Sequence, residues 1–161
     1  MKKFTLSLKK SVFFSSCLVL CVFSGFNSAE EHTVTIQQLL TKYHDNDALG
    51  RDVKRFEINV TNTGFCRYRK VFNNGKQEYF AFNLSRLKSM DYYGNVERGE
   101  LYLRTKNDDV IVQTRNDKKG DIDSMGTYLV IPLKNINVEQ LNELSLNFKQ
   151  VNESLLVASN K

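Results

Sequence analysis

The alternation of apolar and polar residues between Arg55 and Leu133 limits the fold of this chain more than any other feature. Such alternation over runs of about four to eight residues predicts half-buried β-strands, because neighbouring side chains of a strand face opposite sides. Seven runs follow one another, and turn signals such as Asn73-Asn74-Gly75 separate them. The predicted strands are 55–60, 65–72, 77–84, 87–93, 99–105, 110–115 and 127–133, and 116–126 is predicted to be a polar loop. The predicted inward positions are Phe56, Ile58, Val60, Phe80, Phe82, Leu101, Leu103, Val110, Val112, Leu129 and Ile131.

The C-terminal segment carries the period of a helix instead. Its apolar residues recur at spacings of three and four and form one continuous stripe. Asn137 and Gln140 have the spacing of an N-cap and its capping-box partner, and Ile136 and Leu141 are placed to pack across that cap. We therefore predict a helix that buries its stripe against the sheet. The stripe consists of Leu141, Leu144, Phe148, Val151 and Leu155.

A shorter helix is predicted before the first strand. Thr35 and Gln38 match a capping box, and Val34 and Leu39 match a hydrophobic staple. The run 44–47 (His-Asp-Asn-Asp) ends this helix, since Asp and Asn favour turns.

Seven strands and two helices predict an α+β fold: a short N-terminal helix, then a seven-stranded antiparallel barrel or strongly bent sheet with the C-terminal helix packed on it. An open antiparallel sheet of six to seven strands with both helices on one face is the alternative. From Arg55 to Leu156 the element order resembles the pleckstrin-homology-like (PH-like) barrel, and is similar to small exported bacterial proteins of unassigned function that share this pattern. The resemblance implies two near-orthogonal sheets with the C-terminal helix plugging one end. One departure is that Phe148 stands where that helix usually carries a Trp.

The first 29 residues have the layout of a secretory signal peptide. A segment rich in Lys precedes the twelve apolar-rich residues Val12–Phe23, and Asn27-Ser28-Ala29 precedes the acidic Glu30. We predict cleavage after Ala29 and export to the periplasm or beyond the cell; a lipid-anchored or uncleaved form is the alternative. The predicted division of the chain is 1–29 signal peptide, 30–54 helix and lead-in, and 55–157 barrel plus C-terminal helix.

Net charge bears on the choice of partner. Four of the 23 basic residues and none of the 18 acidic residues lie within residues 1–29, so the remainder is nearly neutral. A nearly neutral domain has no electrostatic footprint for nucleic acid. The apolar run is also shorter than a membrane span requires, so no transmembrane helix is predicted in the mature chain. The predicted partner is a protein, glycan or lipid of the cell envelope.

After the predicted cleavage, few side chains suited to acid–base or nucleophilic catalysis remain. The remaining imidazoles are His32 and His44, and the remaining thiol is Cys66. His32 is predicted to lie in a frayed end. Asp45 and Asp47 beside His44 allow a metal-binding interpretation, but a helix end is the simpler explanation of the three residues and is the one we predict. Cys66 alternates with charged neighbours and is predicted to be a buried small hydrophobe. We predict no catalytic residue, no metal and no cofactor, and expect the chain not to be an enzyme.

One cluster of basic residues is a candidate ligand site. Lys54 precedes the first strand, and Arg67, Arg69 and Lys70 lie on the second. In PH domains that bind inositol phosphates, a Lys on strand one and a K/R-x-R motif on strand two converge, and Arg67-Tyr68-Arg69 resembles that motif. The alternative is that these charges occupy the solvated side of a half-exposed strand.

Tyrosines supply the other candidate site. Six lie within predicted strands, and the adjacent Tyr92 and Tyr93 must face opposite sides of theirs. Outward tyrosines are typical of interfaces. In addition, Ser124-x-Gly126-x-Tyr128 resembles the inhibitory loop of periplasmic lysozyme inhibitors. The predicted function is therefore an exported non-catalytic binding module; an exported hydrolase inhibitor or a small secreted enzyme is the alternative. The six tyrosines are Tyr68, Tyr79, Tyr92, Tyr93, Tyr102 and Tyr128.

Overall fold

The computed structural model describes residues 26–159, with side chains described from residue 30. The lysine-rich and apolar segments of the predicted signal peptide lie outside the described residues. The described part is α+β, as predicted, with a helix at each end and antiparallel strands between them. Its helices are α1 (Phe26–Lys42) and α2 (Val138–Ser159), and its strands are β1 (Val53–Val60), β2 (Phe65–Phe72), β3 (Gln77–Asn83), β4 (Leu87–Gly94), β5 (Arg98–Thr105), β6 (Val110–Arg115), β7 (Asp123–Gly126) and β8 (Tyr128–Lys134).

The strands form two separate open sheets, so the prediction of a seven-stranded barrel or single bent sheet was wrong. One sheet has five strands in the order β1-β2-β3-β6-β7, and the other has three in the order β4-β5-β8. The chain changes sheet after β3, after β5 and after β7. Alternation along each strand predicts which side is buried but carries no information about which strands pair, and this is why the division was not foreseen.

An additional strand, β7, lies within the predicted polar loop 116–126. Asp123–Gly126 pairs antiparallel with β6, with Ser124 opposite Val112 and Met125 opposite Ile111. The strand is four residues long, and it contributes no buried side chain: Asp123, Ser124 and Met125 are exposed and Gly126 is half-buried. A short edge strand of this kind leaves no apolar alternation in the sequence, and so the pattern missed it.

Helix α1 begins earlier than predicted. The segment around Thr35 is internal to the helix, and the Thr35 hydroxyl donates to the carbonyl of Glu31 one turn earlier. Thr35 is therefore not an N-cap, and Val34 is exposed instead of stapling one. His32, predicted to be frayed, lies 2.7 Å through Nδ1 from Oδ1 of Asn147 on α2. The predicted cap failed because Thr inside a helix can bond the preceding turn as readily as it caps one.

The start of α2 matches the prediction. The Asn137 amide N–H donates to Gln140 Oε1 at 2.9 Å, and the Gln140 N–H donates to Asn137 Oδ1 at 3.0 Å. This reciprocal pair is a complete capping box. Leu144, Phe148 and Val151 are buried, so the apolar stripe faces inward as expected.

Both sheets and both helices share one core. Leu101, Leu103, Leu129 and Ile131 enter it from the three-stranded sheet. Five residues of the predicted inward set are half-buried and pack against the core: Phe56, Phe80, Val112, Leu141 and Leu155. The remaining buried apolar residues come mainly from α1, β2 and the segment joining β8 to α2: Ile36, Leu40, Cys66, Tyr68, Leu84, Leu133 and Ile136.

Candidate functional site

The outer side of the three-stranded sheet carries an exposed group of aromatic residues. The register places Arg104 of the central strand β5 between Ser89 and Tyr128, and Tyr102 between Asp91 and Val130. Tyr93 on β4 faces the same side, opposite Glu100. Because the alternate residues of these strands fill the core, this side faces solvent. We call Tyr93, Tyr102, Arg104 and Tyr128 the tyrosine face.

The rings of the tyrosine face contact one another. Tyr102 and Tyr128 have ring centroids 5.7 Å apart and planes inclined by 39°. Tyr93 stands edge-on to Tyr102, with centroids 5.2 Å apart and an interplanar angle of 89°. The guanidinium of Arg104 lies over both Tyr102 and Tyr128, at 5.2 and 5.6 Å from their centroids. Tyr102, Arg104 and Tyr128 thus form a floor, and Tyr93 forms a wall at one side of it.

Hydrogen bonds hold the polar groups around these rings. Arg104 Nε lies 3.2 Å from Asp91 Oδ2, and the Ser89 hydroxyl donates to the same oxygen at 2.9 Å. The Tyr102 hydroxyl donates to Glu100 Oε2 at 2.9 Å, and this hydrogen bond to a carboxylate raises the pKa of Tyr102. The face therefore combines oriented donors and acceptors with aromatic surface.

Core packing does not account for this aromatic surface. Tyr93 is 58% exposed and Tyr128 is 47% exposed. A single exposed aromatic is common on soluble proteins, but contiguous exposed apolar surface marks an interaction site. Tyrosine and arginine are also the residues that dominate binding energy at recognition surfaces. The tyrosine face is therefore the strongest candidate binding site in the described part of the chain.

The predicted pair Tyr92 and Tyr93 is divided between the two sides of β4. Tyr93 joins the exposed face, whereas Tyr92 packs against the core and its hydroxyl donates to the Asn95 carbonyl at 2.8 Å. Gly99, which is opposite Gly94 and diagonal to Tyr92 in the β4–β5 hairpin, lies so close that an added Cβ would be 2.5 Å from the Tyr92 ring. Tyr92 thus supports the hairpin from which Tyr93 projects.

The predicted basic cluster does not come together. Arg67 is opposite Asn59 on β1, five residues from Lys54, which corresponds to about 17 Å along the strand. Arg69 is engaged by Glu57 and Gln77, with nitrogen–oxygen distances of 3.0 and 2.7 Å. Lys70 follows Arg69 in the chain and faces the opposite side of the sheet. Its Nζ lies 3.8 Å from Glu78 Oε2. Two of these four charges are paired within the chain, so the structure assembles no phosphate cradle from them.

The two residues of the predicted inhibitory loop lie on different sheets. Ser124 is on β7 of the five-stranded sheet, and Tyr128 is on β8 of the three-stranded sheet. Their segment is strand rather than loop on both sides of Thr127. Tyr128 nevertheless belongs to the tyrosine face, where it contacts Tyr102.

A second polar cluster, not foreseen from the sequence, lies in the interior around His44. Its imidazole is 3% exposed and stacks on Phe56, with ring centroids 3.7 Å apart and planes inclined by 8°. Nδ1 lies 2.9 Å from Asn46 Oδ1, and Nε2 lies 2.8 Å from the Tyr68 hydroxyl. In the neutral imidazole, Nδ1 must carry the proton, because the amide oxygen only accepts, and Nε2 then accepts from the Tyr68 hydroxyl.

The segment around His44 also joins the three-stranded sheet. His44 forms a β-bridge with Leu133, and the Asp45 N–H donates to the Pro132 carbonyl at 2.9 Å. The Asp45 carboxylate, 1% exposed, lies 3.4 Å from Arg98 and 3.7 Å from Lys134. His44 lies just after α1 and outside the eight strands, as predicted, but its bridge to the distant Leu133 leaves no local pattern in the sequence.

Burial shapes the acid–base properties of this interior. It lowers the pKa of His44, although Asn46 and Asp45 oppose the shift, and it raises the pKa of Tyr68. Cys66 is fully buried, as predicted, and burial raises its pKa to about 12. These groups are protected from solvent and uncharged at neutral pH, which suits a structural role.

Within the described residues, no group of three or more His, Cys, Asp and Glu side chains is arranged to hold a metal ion. No helix in that part of the chain has the length and apolar character needed to cross a membrane.

No protein-family model, curated protein or solved structure matches the chain. The resemblance to PH-like barrels therefore stays a prediction from element order.

Proposed function

We propose that this protein is an exported, non-catalytic binding module that engages a ligand of the cell envelope through the tyrosine face. The observation that carries the proposal is that the exposed Tyr93 and Tyr128 both contact the half-buried Tyr102, on a side of the sheet that the core does not use. Ring–ring contact fixes these side chains before any ligand arrives, and such preorganisation lowers the entropic cost of binding.

The proposal that the module is non-catalytic rests on where the structure places its two histidines and its cysteine, the side chains best suited to acid–base or nucleophilic chemistry at neutral pH. His44 is buried and has both nitrogens hydrogen-bonded, and Cys66 is buried as a high-pKa thiol. His32 is held against Asn147 on the other helix. A general base or nucleophile must reach its substrate, and none of the three is presented on the tyrosine face.

Export is supported by the sequence of residues 1–29, with its basic start and short apolar run. An envelope partner follows from that location. The nearly neutral remainder also favours recognition by shape and stacking over recognition by net charge.

The test is equilibrium binding of the fluorescently labelled full chain to isolated envelopes of the producing bacterium. We expect saturable binding that a Tyr93→Ser/Tyr128→Ser double substitution weakens by about tenfold or more, since exposed anchor residues carry most of a binding energy. Met125→Ser is the matched control, because Met125 is 54% exposed on the other sheet.

Circular dichroism melting of each variant checks that the fold is intact. Envelope binding that is indifferent to the double substitution, or equally weakened by Met125→Ser, would contradict the proposal.

A further inference from the structure

We propose that the ligand of the tyrosine face is a neutral glycan chain whose pyranose rings stack on Tyr102 and Tyr128; this inference rests on the proposed function. A pyranose ring has a flat apolar face of C–H groups and a rim of hydroxyl groups. It therefore needs aromatic surface with hydrogen-bonding groups at its edge, and the tyrosine face presents both.

The floor offers the stacking surface. The centroids of Tyr102 and Tyr128 are 5.7 Å apart, a spacing comparable to the width of one sugar ring, and the guanidinium of Arg104 lies against both rings. The Tyr93 ring, at 89° to Tyr102, closes one side and makes a corner instead of a flat patch. A pyranose ring placed on the floor would therefore also contact the ring of Tyr93.

The rim offers partners for hydroxyl groups. The Glu100 carboxylate is held by the Tyr102 hydroxyl, and the Asp91 carboxylate is held by Ser89 and Arg104. Each carboxylate keeps further lone pairs free to accept from a ligand hydroxyl. The hydroxyls of Tyr93 and Tyr128 add groups that can both donate and accept.

The charge of the face selects against acidic ligands. Arg104 already lies 3.2 Å from Asp91. The other cations on the outer side of this sheet, Arg98 and Lys134, are paired with Asp45 and Asp47. A phosphate or uronate brought to this face would have to break one of these ion pairs. An uncharged ligand meets no such penalty, so the tyrosine face favours a neutral glycan over an anionic lipid headgroup or an acidic polysaccharide.

The size of the face favours a glycan over a folded protein. Three strands about 4.8 Å apart, with about five residues each at about 3.4 Å, present about 250 Å² of outer surface. A stable protein interface buries about 800 Å² on each partner. An oligosaccharide of two to four units fits the smaller area, whereas a protein partner would have to contact the flanking loops as well.

The experiment is titration of the full chain with cellotetraose, chitotetraose and maltotetraose, followed by nuclear magnetic resonance shifts of the backbone amides. We expect at least one of the three to move amides of β4, β5 and β8 with a saturating, millimolar or tighter affinity. Tyr128→Ser weakens that affinity by about tenfold, whereas Tyr128→Phe, which keeps the ring, changes it by less than about threefold. Met125→Ser leaves it unchanged, and trigalacturonate binds more weakly than the neutral probes.

Three results would overturn the inference: no shift with any neutral tetrasaccharide, equal loss in Tyr128→Phe and Tyr128→Ser, or tighter binding of trigalacturonate. The envelope assay separates this failure from failure of the proposed function. If envelope binding needs the tyrosines but is abolished by protease treatment of the envelopes, the binding module stands, its partner is a protein, and the glycan inference falls.

Discussion

Tyr68 and Tyr102 occupy equivalent places in the two sheets, since each lies on a strand that is paired on both sides. Their side chains nevertheless point into different environments, the core for Tyr68 and the solvent side of the sheet for Tyr102. Tyr68 on β2 points into the core, is 1% exposed, and donates its hydroxyl to the buried His44. Tyr102 on β5 points outward and donates to Glu100 in solvent. The pKa of both phenols is raised, by burial at Tyr68 and by the hydrogen bond to the carboxylate at Tyr102.

The difference shows what decides the role of an aromatic residue in this fold. At Tyr68 the ring lies near Phe80 and the hydroxyl closes a buried polar pair, so the residue stabilises the structure. At Tyr102 the same side chain contacts Tyr93 and Tyr128 without closing the core, so it is free to contribute to binding. Interior tyrosines should therefore control stability, and tyrosines of the tyrosine face should control binding.

The largest expected effect is the loss of stability in Tyr68→Ser compared with Tyr102→Ser. Removing the buried ring leaves a cavity and an unpaired His44, at a cost of about 3–5 kcal/mol in the free energy of unfolding. Tyr102→Ser should lose far less, because its ring is on the solvent side. Urea unfolding followed by circular dichroism measures both, and equal losses would erase the distinction between the two regions.

A slightly smaller effect is expected for His44→Ala. This substitution removes the ring stacked on Phe56 and leaves the buried Tyr68 hydroxyl without its acceptor, at a cost of about 2–4 kcal/mol. His32→Ala is the control, since His32 is only half-buried. Similar unfolding midpoints for the two variants would mean that the interior cluster does not stabilise the fold.

Tyr68→Phe isolates the hydroxyl from the ring. The variant keeps the packing but deprives His44 Nε2 of its donor, and we expect a loss of about 1–2 kcal/mol. Tyr102→Phe, which removes a solvent-exposed hydroxyl, should leave the unfolding midpoint unchanged. The same urea titrations apply, and a stable Tyr68→Phe would show that the buried hydrogen bond is energetically neutral.

The smallest expected effect is a pH dependence of stability from His44. Burial lowers the pKa of His44 in the folded state, while in the unfolded chain it lies near about 6.5. The unfolded state therefore binds more protons in this window, so stability is complete above about pH 6.5 and falls as pH drops towards the lower folded pKa.

Unfolding free energies between pH 5 and 8 test this dependence. His44→Gln should flatten the profile in that range, whereas His32→Gln should keep its slope. A wild-type profile with no decline below pH 6.5, or a decline that survives in His44→Gln, would assign the pH response to other groups. Asp47 does not interfere, because its pKa is lowered from 3.8 by Lys134 and it titrates below this window.

The sequence by itself determined the local structure of this protein. Strand alternation identified most strands and most inward residues, Asn73-Asn74-Gly75 marked the β2–β3 hairpin, and Asn137 with Gln140 marked the start of α2. These features depend on interactions within a few residues, between backbone and neighbouring side chains. Such interactions can be predicted from the order of residues along the chain.

Only the tertiary structure decided which strands pair and which side chains meet. The separation into two sheets, the short edge strand β7, and the contact of His44 with Tyr68 across 24 residues depend on pairings that no local pattern encodes. The tyrosine face likewise required β8 to lie beside β5, which brings Tyr128 to Tyr102. The sequence could predict that a tyrosine faces outward, but only the sheet register brought three of them together, because register is set by the whole core.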